Sequence, residues 1–116
     1  MKEQLISILE TFCPDDVYLQ GTLNPTEAYP QKFITFFTTD SEFDDFYDND
    51  ANHINWYVNV IFYSSNPAEV LETPPLIIKA LRAAGFLPQN AGIDVMSEVD
   101  THTGWAMDFI YPENYD

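Results

Sequence analysis

The sequence predicts an α+β domain: an antiparallel sheet of three to four strands with two helices packed on one face. Three observations predict it. First, HINWYVNVIFYS (53–64) alternates, with Ile54, Trp56, Val58, Val60 and Phe62 on one face and Asn55, Tyr57, Asn59, Ile61 and Tyr63 on the other. One face is fully apolar and the other mixed, as in an antiparallel sheet covered on one side. Second, Leu76, Ile77, Ala80, Leu81 and Ala84 recur at helical spacing instead. Third, the order helix, weak strand, strand, strand, helix, loop, strand suits helices layered on an antiparallel sheet.

The elements follow in chain order. Leu5, Ile8, Leu9 and Phe12 make one face of a helix over 2–12, which Cys13-Pro14 ends because the residue before proline avoids the helical region. Val17–Leu19 reads as a short strand and 21–30 as loop. PQKFITFFTT (30–39) is rich in β-branched and aromatic residues, so it reads as a strand. The acidic stretch 40–50 then reads as a hairpin loop leading into the strand 53–64. In SSNPAEV, Asn66 is placed to cap a helix, with Pro67 at its first position and Glu69 able to reach back. Thr73-Pro74-Pro75 predicts a kink or a restart, because an internal proline lacks a donor and clashes with the preceding turn. Gly85 marks the helix end. GWAMDFIY (104–111) is the last strand, with ENYD as a loose tail.

The chain of 116 residues reads as one domain, 1–116, with neither a repeat nor a low-complexity linker. Apolar residues at 46% and aromatics at 16% are enough for a core. Four Lys and Arg stand against 19 acids, a net charge of −15. Nucleic acid and anionic membrane surfaces are therefore poor partners, since both are bound through Lys and Arg. The acidity fits solubility, cation binding or a basic protein partner. Cys13 is the single cysteine, which suits a reducing compartment. No apolar run approaches the roughly 18 residues of a membrane span, and MKEQLISILE does not read as a signal peptide. The expectation is a soluble protein of the cytoplasm or of an assembly built there.

The strongest local signal is SEFDDFYDND (41–50). With the preceding residue it gathers Asp40, Glu42, Asp44, Asp45, Asp48 and Asp50, together with Phe43, Phe46 and Tyr47. An EF-hand loop needs a glycine at its sixth position and a glutamate at its twelfth. Counted from Asp48, those positions hold His53 and Asn59, so the template fails. A solvated loop or an assembly surface is the reading left. His53 and His102 form no metal motif, and His102 within THTG reads as a turn or strand-start residue. Cys13 has no basic neighbour to activate it, so it reads as a buried thiol rather than a nucleophile. No phosphate-binding glycine loop, G-x-S-x-G or C-x-x-C is present; nothing argues for an enzyme, and no cofactor or metal is expected. Tyr57 and Tyr63, with Phe36, are assigned to the mixed face of the sheet. Tyrosine is common at interfaces, so that face is expected to meet another subunit.

Four stretches carry a resemblance: FITFFTTDSEFDDFYDND, INWYVNVIFYSSNPAEV, LRAAGF and DVMSEVDTHTGWAMDFIY. Together they resemble a group of small prophage-encoded proteins found among head–tail connector and tail genes of long-tailed phages. The likeness runs from about residue 31 to residue 112 and rests on structural motifs. It departs from the common pattern at Thr73-Pro74-Pro75 and at Trp105-Ala106. Such proteins are similar in size and element order to tail terminator, or tail completion, proteins. The resemblance implies a tail-terminator-like subunit forming a ring, expected to be a hexamer, that caps the tail tube and joins it to the head. Its partners would be further copies of itself and tail-tube or head-connector proteins. Its place would be the bacterial host cytoplasm during assembly and then the virion tail. A competing reading is an acidic DNA mimic that inhibits a basic host protein. Against it, 6 of 19 acids crowd into residues 40–50 rather than spreading like phosphates. A calcium-binding domain or small enzyme is a third reading, with least support.

Overall fold

A computed structural model describes residues 1–19, 30–44, 53–96 and 101–114. Two helices, α1 (Lys2–Leu9) and α2 (Pro67–Ala83), accompany six strands. These are β1 (Val17–Leu19), β2 (Lys32–Asp44), β3 (His53–Ser64), β4 (Leu87–Pro88), β5 (Ile93–Met96) and β6 (Thr103–Asn114). The sheet order is β1-β2-β3-β6-β4, with β5 also pairing β6.

The α+β class fits, but the sheet expected from the sequence does not. It has six strands rather than three to four, and it is mixed, because β1 runs parallel to β2. The two strands missed, β4 and β5, have two and four residues. Strands that short show no alternation to read. Pro88 is tolerated in β4 because that strand lies at the sheet edge. The direction of β1 was equally illegible, since three residues carry no information about which way they pair.

The long hairpin extends further than the alternation suggests. β2 pairs with β3 from Lys32↔Ser64 to Asp44↔His53. Asp40, Glu42 and Asp44 are therefore strand residues in register with Tyr57, Asn55 and His53, not loop residues. The register shifts between Thr38 and Asp40, leaving Thr39 as the extra residue of a bulge, its hydroxyl donating to the Tyr57 carbonyl at 3.1 Å. Because side chains alternate with period two, one inserted residue exchanges the two sides of the strand beyond it. β6 likewise continues to Asn114, and Glu113 takes the N-terminal ammonium at 3.1 Å and the Trp56 indole N–H at 3.2 Å.

Both helices pack on one face of the sheet. Leu5 and Leu9 of α1 and Ile77 and Leu81 of α2 meet Ile34, Phe36, Val58, Val60, Phe62, Met107 and Phe109. All are buried, and they alternate along each strand as that face requires. Phe36 belongs to this core, opposite Val60, and not to the mixed face as its sequence context suggested. An odd–even count across the adjacent pair Phe36 and Phe37 cannot choose a face; the pairing with β3 does. α1 stops at Leu9, and the chain tightens, with Phe12 N–H and Cys13 N–H both donating to the Leu9 carbonyl.

α2 starts as its sequence predicts, with the Asn66 side chain accepting from the Ala68 N–H at 3.0 Å. Glu69 does not close the box itself. Ser64 stands between: its hydroxyl accepts from the Asn66 N–H and donates to the Glu69 carboxylate. The expected restart at Thr73 is absent, because α2 runs unbroken through Pro74 and Pro75. At its far end the Phe86 N–H reaches the Leu81 carbonyl and the Gly85 N–H the Arg82 carbonyl, as in a Schellman stop.

Candidate functional site

Three regions hold the residues that carry any chemistry: the far end of the β2–β3 hairpin, the sheet face away from the helices, and a cleft beside α2.

Three of the six acids singled out in the sequence lie in β2 towards the hairpin end. Asp40, Glu42, Phe43 and Asp44 lie in β2, opposite Tyr57, Asn55, Ile54 and His53. Asp45, Phe46, Tyr47, Asp48 and Asp50 lie outside the described residues. Asp40 is exposed and caps its own neighbour, accepting from the Ser41 N–H at 2.8 Å. Among the described residues, no group of three or more His, Cys, Asp or Glu side chains could hold a metal ion.

Tyr57 and Tyr63 stand on the face away from the helices, as expected. Rows cross that face from strand to strand: Phe33, Tyr63, Gly104 and Val95, then Thr35, Ile61, Ala106 and Ile93. Phe33 stacks on Tyr63 with ring centroids 4.8 Å apart. Gly104 makes the row possible. A Cβ there would come within 2.7 Å of both the Tyr63 ring and Val95. Further along, the Asn59 amide donates to Asp108 at 2.9 Å and the Asn90 amide to the other carboxylate oxygen at 3.0 Å. The Asn59 carbonyl oxygen is buried with no hydrogen-bond partner. Such an orphan costs about 1–3 kcal/mol, so the centre of this face is not built for stability alone.

His102 closes one end of the face. Its Nε2 lies 2.7 Å from the Pro30 carbonyl and its Nδ1 2.9 Å from the Thr101 hydroxyl. A carbonyl only accepts, so Nε2 carries a hydrogen. Packed against Phe33, His102 ties the start of β6 to the start of β2. Cys13 is buried in the helix-side core, and burial pushes its thiol up to about 11. That is the opposite of an activated nucleophile.

The cleft was not foreseen. It has a volume of about 260 Å³ and is lined by Val70, Leu71, Pro74, Pro75, Ala91 and Trp105. The Trp105 indole donates to the Ala91 carbonyl at 2.9 Å. Gly92, at φ +108, lets the chain pass under the ring, where a Cβ would lie 1.9 Å from Nε1. Pro74 and Pro75 bring no N–H, so the Val70 and Leu71 carbonyls have no α-helical donor. The lining of the cleft is apolar. The sequence signal was the double proline together with Leu71, which falls off the apolar stripe of α2 and is 79% exposed.

No protein-family model and no curated protein matches the chain. No described helix is long and apolar enough to cross a membrane.

Proposed function

We propose that this chain is a structural subunit of a long-tailed phage: a tail terminator or head–tail joining protein that assembles as a ring, expected to be a hexamer, at the end of the tail tube. The role is architectural rather than catalytic. It starts from the motifs of residues 31–112. The structural observation that most supports it is the uneven covering of the sheet. Both helices serve one face, while the other presents Tyr57, Tyr63, Ile93 and Ile110 in an organised lattice. A ring subunit needs surfaces of this kind for its neighbours. The charge of −15 suits a conduit for DNA, because like charge holds the duplex off the wall. On this reading the acids from Asp40 to Asp50 face the lumen, and the subunit binds its own kind and tail-tube or head-connector proteins.

Electron microscopy of particles made with and without the gene tests it. The expected result without the gene is separate heads and tails, restored to joined virions by the protein supplied in trans and located at the head-proximal tail end. Normal joined virions in its absence would exclude the role. Finding residues 40–50 on the outer rim of an assembled ring would exclude the lumen assignment alone.

A further inference from the structure

We propose that the outward side of α2, with the cleft beside it, is the docking site for the hairpin end of a second copy of this chain. This deepens the ring reading and rests on it for the idea of repeated copies, but it makes a separate claim about which two surfaces meet.

The acceptor surface combines exposed apolar and basic residues. Leu71, Pro75, Lys79 and Arg82 are all exposed and spaced four, four and three residues apart, so they form one stripe along the helix. Leu76, 56% exposed, flanks it. The first half of the stripe opens into the apolar cleft; the second half is basic. Lys79 and Arg82 are two of only four Lys and Arg in the chain. Among the described residues neither makes an ion pair, whereas Lys32 is held by Glu69 at 3.7 Å. An apolar cleft continued by two cations fits one kind of occupant. That occupant carries carboxylates beside an aromatic side chain.

This chain contains such a segment. Residues 41–50 carry five acids with Phe43, Phe46 and Tyr47. They belong to the other end of the hairpin. Trp105 pairs with Phe62, nine residues along β3 from His53, a separation of roughly 30 Å at the strand rise. Asp44, paired with His53, is therefore that far from the cleft of its own chain. A contact of Asp44 with this stripe is thus one between copies. It is also head-to-tail, two different surfaces meeting, which is the arrangement that closes into rings.

The test is sedimentation velocity on the full chain at low and high salt. The wild type is expected to self-associate, more weakly as salt rises. Lys79→Glu with Arg82→Glu should weaken association on the order of tenfold or more, as should Asp44→Lys with Asp45→Lys. One chain carrying all four changes should regain most of the loss, because the reversed charges again match. Circular dichroism checks that each exposed-site variant is folded. A wild type monomeric at every concentration overturns the proposal, as does association indifferent to Lys79 and Arg82 or a four-fold variant with no recovery. If the Lys79/Arg82 variant still joins heads to tails normally, the ring role survives without this contact. If association follows the charges but the gene is dispensable for joining, the contact survives without the role.

Discussion

The two faces of the sheet are made by the same strands, yet they are organised by different forces. The helix side is a continuous apolar layer in which Phe62, Phe86 and Phe109 are wholly buried. The opposite side mixes rings, amides and a carboxylate. It is held by specific fits: Tyr63 over Gly104, Asn59 and Asn90 on Asp108, His102 on Pro30. The first kind of face specifies the fold through volume and area. The second also buries Phe33, Ile61 and Ala106, but sets them among polar groups in specific pairings.

Substitutions can break this contrast, and the largest effect belongs to the helix side. Phe62→Ala should cost about 3–5 kcal/mol in urea denaturation, through lost burial and the cavity left behind. Gly104→Ala acts on the other side. The new Cβ must displace the Tyr63 ring and Val95 together, at a cost of roughly 1–3 kcal/mol by overpacking. Thermal denaturation measures it, and an unchanged midpoint would show that the row yields freely. Tyr57→Ser should be milder, about 1 kcal/mol or less, the scale of a cross-strand pair. If it proved as costly as Phe62→Ala, the two faces would not differ in kind.

The smallest effect is chemical. Cys13 lies under the helices, so a thiol reagent at mildly alkaline pH should label the native chain slowly and the urea-unfolded chain quickly. Its pKa rises from 9.0 to about 11 because burial disfavours the thiolate. The folded state therefore holds this proton more tightly than the unfolded state. Its contribution to stability is complete below 9.0 and is lost as pH climbs towards about 11. Rapid native labelling would mean that the helix layer opens readily.

The parts of this architecture that were legible share one property: a periodic signal long enough to read. β3 alternates over its whole length, and the Leu5–Leu9 and Ile77–Leu81 pairs sit at helical spacing. β4 and β5 are too short for any period, and the parallel pairing of β1 is a tertiary fact. The acids at 40–44 read as loop because composition outweighed pairing, although β3 opposite them had strand enough to hold them. Tyr57 and Tyr63 were placed on the correct face by parity alone. The cleft escaped notice because it joins Leu71 to Trp105, far apart in sequence and brought together by the return of β6 to β3.

The extra residue at Thr39 separates what can change from what cannot. Below it, each position of the hairpin is committed to the core or to the opposite rows. Above it, the strands are joined to that body by backbone pairing through a single offset. A one-residue deletion there would leave Thr38 opposite Val58 and Asp40 opposite Tyr57, and would straighten the strand's local bend without touching a core side chain. Length variation at this point is thus a route by which the molecule's contacts could be re-aimed while its fold is inherited unchanged.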